Sequence, residues 1–435
     1  MSLRRRVMGL GLKALNRIAA LPGMDQPERR ARMAAWLRGA SRAGFATALA
    51  VNRPFKAARA LLKPVRPAHT HAPDLFDLTP TDEQAMIVEA VRRFADDALR
   101  PAAAGADEAG AAPAGLVAQA AELGVTAMNA PDELGGVAHE RSVVTNALVA
   151  EALAHGDMGL AVACLSAPSL AVVLVEYGSA EQQATYVPSL TGDRSPQAAI
   201  AVMEAQPLFN PFALKTTARR DKGGWVLDGE KHLVPCAQQA ELFLVAAQDD
   251  DGRPGLFVVE SGTPGLALAP QPAMGLRAAG LARLTLSRVK LPEDARLAEA
   301  DYAEFIARSR LAWCALAVGA TQAVLDYVIP YANEREAFGE PISHRQSVAF
   351  MIANIGIELE GMRLATWRAA SLAAAGKPFA AEAALARSLC ARHGMKAGSD
   401  GVQVLGGHGF VREHPVERWY RDLRAVGIME GGVML

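Results

Sequence analysis

The chain has 435 residues, 51% of them hydrophobic and only 6% aromatic, which is too long for one ordinary domain and too apolar for a disordered protein. Abundant alanine with few aromatics favours packed helices over an all-β fold. Four scattered cysteines, Cys164, Cys236, Cys314 and Cys390, form no C-x-x-C pair, which excludes a disulfide framework or a zinc cage and suits a reducing, cytoplasmic compartment. The nine histidines show no ligand spacing, so no metal is expected.

A formal net charge of −1 hides an asymmetry, because residues 1–66 hold fifteen Lys/Arg against Asp25 and Glu28. Residues 2–19 put Leu3, Val7, Leu10, Ala14 and Ile18 on one helical face and Arg5, Arg6, Lys13 and Arg17 largely off it. That is the pattern of an interfacial amphipathic helix, too short to span a bilayer. Three docks are open to such a head: an anionic lipid surface touched peripherally, an acidic partner, or the acidic body of the same chain. A removed presequence is a further reading. No nucleic-acid-binding module follows, so no nucleic acid is expected.

From residue 78 to about 190 the apolar period is helical, with Thr79 or Thr81 capping LTPTDEQAMIVEAVRRFADDALRP and a helix end expected before Pro101. Between residues 198 and 292 short alternating runs replace it: GWVLDGEKHLV, with Asp228-Gly229 as its hairpin turn, then ELFLVAAQ, GLFVVES and LARLTLSRVKLP. From Tyr302 the helical period returns in segments long enough for an antiparallel bundle. The expected fold class is therefore mainly α with a small β domain, divided into a basic extension (1–75), a helical domain (76–194), a middle β domain (195–297) and a helical bundle (298–435).

Four spaced motifs lie in the last third: RSRLAWCALAVGATQ, REAFGEPISHRQ, VQVLGGHGFVREHPVERWYRD and the acidic residue of IMEGG. In this order, behind a helical and then a β domain, they resemble the acyl-CoA dehydrogenase family over roughly residues 76–435. The resemblance implies a middle β barrel or sandwich and a C-terminal four-helix bundle. It also implies FAD, an acyl-CoA substrate converted to the trans-2-enoyl-CoA, an electron-transfer flavoprotein as acceptor, and a homodimer, homotetramer or hetero-oligomer with a related subunit. Glu430 stands where the family keeps the base that takes the α-proton, and Arg310 matches its arginine close to that carboxylate. Its alternative is a plain surface charge on a helix. Family members that carry the base on the earlier helix place it near Ser309, which is not acidic. Arg335, Phe338, Arg345 and Gln346 match the segment that holds the adenosine-diphosphate end of FAD in a neighbouring subunit, and a planar, permanently charged guanidinium suits a diphosphate. Gln403, Gly406 and Gly407 match a turn whose backbone lies against the cofactor, although a glycine pair also ends helices. Arg418, Arg421 and Asp422 are expected to be structural ion-pairing residues.

The departures cluster on the flavin-ring side. Where the family has Thr-Glu-Pro followed by small residues and a serine, the chain reads MEAQPLFNP: Met203 replaces the threonine, Pro207 removes an N–H, and Leu208 and Phe209 add bulk. Only Glu204 is kept. KHLVPC supplies Leu233 and Pro235 where a tryptophan and a hydroxyl residue are usual, and Gly432 stands for a threonine. Three readings follow: a dehydrogenase, a catalytically degenerate or half-site partner subunit of the same fold, or a flavin monooxygenase or oxidase on it.

Overall fold

The computed structural model describes residues 78–137, 142–192 and 195–435. The basic head of residues 1–66 lies outside the described residues. Residues 76–435 belong to one compact unit.

Helix α1 (Asp82–Phe94) starts on a capping box: Thr81 accepts from the Gln84 N–H while the Gln84 side chain accepts from the Thr81 N–H. The chain does not leave the helix before Pro101. A π-helical turn, Ala95–Leu99, carries it into α2 (Arg100–Ala109), where Pro101 falls in the first turn. Proline is tolerated there because the π turn just before it already interrupts the regular i→i−4 ladder. After α3 (Ala114–Glu122) come α4 (Val143–Gly156) and α5 (Met158–Tyr177), capped by Ser142 and Asp157. Helix α5 is apolar on all sides because it is buried along nearly its whole length, as the central helix of the domain must be. α6 (Ala180–Thr191) closes this layer.

Seven strands follow: β1 (Gln197–Ala201), β2 (Thr217–Asp221), β3 (Gly224–Val234), β4 (Ala240–Gln248), β5 (Pro254–Glu260), β6 (Leu266–Pro270) and β7 (Ala282–Pro292). They form one sheet in the order β1-β4-β2-β3-β7-β6, with β5 on β4. β1 runs parallel to β4, while β2–β3, β3–β7, β4–β5 and β6–β7 are antiparallel. The Asp228-Gly229 pair is not the hairpin turn. It lies inside β3, where register shifts against β7, and the reversal is made at Lys222-Gly223. A Cβ at Gly229 would fall 2.7 Å from the Thr216 Cα, so glycine is there for a close approach of two backbones, not for a turn. Trp225, Phe243 and Phe257 fill the sheet's own core.

The bundle is α7 (Tyr302–Glu334), a small β8–β9 hairpin (Glu336–Ala337 and Glu340–Pro341), α8 (Gln346–Ala374), α9 (Ala380–Leu405) and the short α10 (Val416–Leu423). Its alanines and leucines merge with those of α4 and α5 into one large core. Of the three residues expected to ion-pair in VERWYRD, Arg418 and Arg421 do so and tie the bundle to the first domain, whereas Asp422 makes no ion pair among the described residues and accepts a backbone N–H from the β domain instead. Arg418 meets Asp157 at 2.9 Å, Arg421 meets Asp107 at 2.8 Å, and Asp422 accepts the Leu276 N–H at 2.6 Å.

Candidate active site

Helix α10 ends in a 3-10 turn, Arg424–Gly427, and Val426 and Met429 are buried on either side of its exit. This anchorage delivers Glu430 into the interior, where it is only 6% exposed. A lone carboxylate there would be costly, and two guanidiniums compensate it. Arg310, on the third turn of α7, donates from Nη2 to Oε1 at 2.7 Å and from Nε to Oε2 at 2.9 Å. Arg387 of α9 brings Nη2 to 3.2 Å of Oε1. Arg310 is thus no plain surface charge. Among the described residues Oε2 has the single partner Arg310 and keeps the freer lone pair. Burial pushes the Arg387 guanidinium below its ordinary value, with Glu430 opposing that, and its Nη1 has no partner among the described residues. Sequence reasoning missed Arg387, for which no local motif exists.

Beyond Glu430 the backbone turns left-handed at Gly431 (φ 71°) and Gly432 (φ 82°), which glycine alone adopts without strain. Gly431 forms an antiparallel bridge with Ala201 at the end of β1, and its carbonyl accepts from the fully buried indole of Trp313 at 2.8 Å. A Cβ at Gly431 would fall 2.4 Å from Val202 Cγ2, and one at Gly432 3.1 Å from Pro235 Cγ and 3.4 Å from Trp313 Cζ2. Further on, Met434 donates its N–H to Ser169 Oγ of α5 at 3.0 Å, and Val433, Met434 and Leu435 are all buried.

Glu204, the retained acid of MEAQPLFNP, has a structural task. It accepts from the backbone N–H of Lys215 at 2.7 Å and of Thr216 at 2.9 Å, and pairs with the fully buried Lys231 at 2.7 Å. Burial works to raise its carboxyl, but Lys231 and these donors outweigh it and hold the group below the ordinary value. Burial pushes Lys231 down to about 8 against the pull of Glu204. Tyr302 lies in the field of both Glu430 and Glu204, and burial, reinforced by both carboxylates, drives its phenol far up.

The residues expected at the nucleotide end stand elsewhere. Arg335 and Phe338 are exposed at the β8–β9 hairpin, Phe338 at 96%, with Arg345 over its ring at 5.5 Å. Twenty-five residues of α7 separate Arg335 from Arg310, roughly 37 Å at the helical rise. Exposed Gln403 and the Gly406–Gly407 backbone, with nothing within 4 Å of either built Cβ, lie at the same end, since Tyr331 near the end of α7 meets His408 at 2.8 Å. Gln346 opens α8 beside them, exposed.

Fit to FAD therefore divides. The exposed arginines, aromatic and open glycine backbone suit an adenosine diphosphate offered to a neighbour. On the ring side Met203, Leu233 and Pro235 bring no hydroxyl, the Leu233 N–H is engaged by Gln271 at 2.8 Å, and the Met203 carbonyl accepts from His232 at 2.9 Å. An aromatic ring between the β-domain wall and the Glu430 loop needs a gap of about 7 Å, one van der Waals contact on each face. Here Pro235 and Val202 already touch Gly432 and Gly431, so in this conformation the ring does not fit.

Three stretches match known family domains: residues 81–193 the acyl-CoA dehydrogenase N-terminal domain, 199–289 the middle domain and 301–432 the C-terminal domain. The short-chain specific acyl-CoA dehydrogenase of Bos taurus mitochondria is 34% identical over 357 residues, covering 80% of this chain and 86% of that one. The butyryl-CoA dehydrogenase structure from Megasphaera elsdenii superposes with a TM-score of 0.76 at 26% identity, over 82% of this chain and 96% of that chain. Glutaryl-CoA dehydrogenase from Mycobacterium smegmatis in complex with FADH2 gives 0.74 at 27%, over 81% and 92%.

Proposed function

The chain belongs to the acyl-CoA dehydrogenase family of flavoprotein oxidoreductases, and on that premise we propose that it oxidises an acyl-CoA thioester to the trans-2-enoyl-CoA with Glu430 as the base. The observation that carries this is the burial of Glu430 on a loop anchored at both sides, with Oε2 left to take a proton. Arg310 orients the carboxylate in two places, which fixes the direction from which the α-carbon is met. FAD, the family's cofactor, supplies the redox chemistry when bound, and an electron-transfer flavoprotein is the proposed acceptor. The relatives are named for short-chain, butyryl and glutaryl substrates, so a short acyl chain is the first class to test.

The loss of ring contacts at Met203, Leu233 and Pro235 favours a second reading, a subunit that lends its nucleotide-binding hairpin to a competent neighbour. The visible spectrum of the purified chain with added FAD, followed by anaerobic butyryl-CoA, separates them. Bleaching of bound flavin that disappears in Glu430→Gln, with turnover down about 10²–10⁴-fold, supports the dehydrogenase. A protein that takes up no flavin supports the partner subunit.

A further inference from the structure

We propose that the outer face of α8 is an interface between two copies of this chain, packed antiparallel about a two-fold axis at Ile357. Phe350, Ile357 and Leu364 are 63%, 67% and 51% exposed, and their regular spacing of about two turns puts them in one line along the helix. The opposite side of α8 carries Ile355, Leu359, Met362 and Thr366 into the interior, so the helix is apolar on two sides and only one is covered. Its first stretch, QSVAFMIANIGI, holds no charged residue, whereas a helix that shows a face to water carries charges there. A line of exposed apolar side chains without charges among them marks a contact surface.

The order of residues on this face selects a second copy as the occupant. Antiparallel pairing about Ile357 sets Phe350 against Leu364 of the partner subunit and Ile357 against its own mate, the self-complementarity that a two-fold interface requires. Ala353 then meets Gly361 of the partner subunit. No atom lies within 4 Å of a Cβ built at Gly361, so the two backbones have room to approach there. Glu360 falls opposite Asn354 of the partner subunit and Arg368 opposite Gln346 of the partner subunit, so no like charges meet, whereas parallel pairing would set Arg368 against Arg368. Three side chains are only part of the about 800 Å² per partner that a stable interface buries. The face widens onto α9, where Leu385 is 59% exposed one turn from Glu382, which pairs with Arg368 at 3.7 Å. A groove of about 490 Å³ between the two helices, lined by Asn354, Met395 and Lys396, adds to it. The oligomer implied by the family resemblance thus gains a face and an axis, and neither depends on the chemistry at Glu430.

Crosslinking of cysteine variants of the full chain with a short bismaleimide tests the register, since the four native cysteines are buried. Ile357→Cys is expected to give a covalent dimer. Phe350→Cys and Leu364→Cys are each expected to give none alone, because antiparallel packing sets like residues roughly 21 Å apart, and to give one once the two variants are mixed and have exchanged subunits. Met86→Cys, at a position 72% exposed on α1, is the control and should not crosslink. In sedimentation velocity, Ile357→Glu is expected to split the parent assembly into species of half its mass. Its dissociation constant should rise at least about 100-fold, because the interface would bury a charge without a partner. Leu364→Glu serves if Ile357→Glu does not fold. A parent chain that sediments as a monomer at micromolar concentration would overturn the proposal, whatever other protein then covers the face. So would an assembly whose mass neither glutamate variant changes. Failure of Ile357→Cys to crosslink, or crosslinking of Phe350→Cys to itself, would rule out the antiparallel axis.

Discussion

At the residue scale, the two arginines on Glu430 are not equivalent. Arg310 makes three hydrogen-bond contacts with the carboxylate, whereas Arg387 reaches one oxygen at 3.2 Å and leaves a buried Nη1 without a partner among the described residues. Removing Arg310 strands a buried carboxylate, while removing Arg387 also removes an unsatisfied donor. Arg310→Met is therefore expected to lower stability by about 3 kcal/mol and Arg387→Met by less than about 1 kcal/mol. Denaturant midpoints of the two variants check this, and equal losses would contradict it. Arg310 was legible from the motif beside it. Trp313 carried a weaker signal, because a position three residues on shares a helix face with Arg310. Arg387 carried none, since its role arises only where α9 crosses α7.

At the element scale, the turn between β1 and β2 depends on one buried pair. Glu204 gathers two backbone N–H groups and Lys231, so the altered MEAQPLFNP loop keeps its course although its other family residues have changed. Leu208 shows the cost of those changes, sitting fully exposed in the left-handed region at φ 50°. Glu204→Gln leaves Lys231 buried without an anion and is expected to cost about 3–5 kcal/mol. A thermal melt would show it, and an unchanged midpoint would mean that the turn is held by other contacts. The sequence pattern marked Glu204 as kept but could not say for what, because the backbone groups and the lysine that it braces lie eleven to twenty-seven residues further on.

At the scale of the whole molecule, the bundle is fastened to the first domain by the buried group Asp157, Arg418 and Asp422, with Arg421 and Asp107 beside it. Burial and the neighbouring Asp157 push the Asp422 carboxyl up to about 8 from 3.8, against the Leu276 N–H and the two arginines. A carboxyl raised on folding holds a proton that the unfolded chain has released. Its stabilising contribution is complete below about pH 4 and is lost as pH rises through about 8. Asp422→Asn should flatten that part of the stability profile, so the difference in melting temperature between variant and parent grows from pH 5 to pH 8. A constant difference would show that Asp422 does not titrate there.

The sequence by itself determined the order of the domains, the helical and alternating periods that build them, and the placing of Glu430 and Arg310 together, because periodicity and short motifs are local properties. It misplaced the helix end at Pro101 and the turn at Asp228-Gly229, where a π turn and a close backbone approach overrode the local signals. Only the tertiary structure decided that Arg387 joins Glu430, that Glu204 braces a turn, and that residues 431–435 cross to β1 and α5. Those contacts link Gly431 to Ala201 and Met434 to Ser169, hundreds of residues apart, and such distances are closed by burial and packing, on which no stretch of sequence reports.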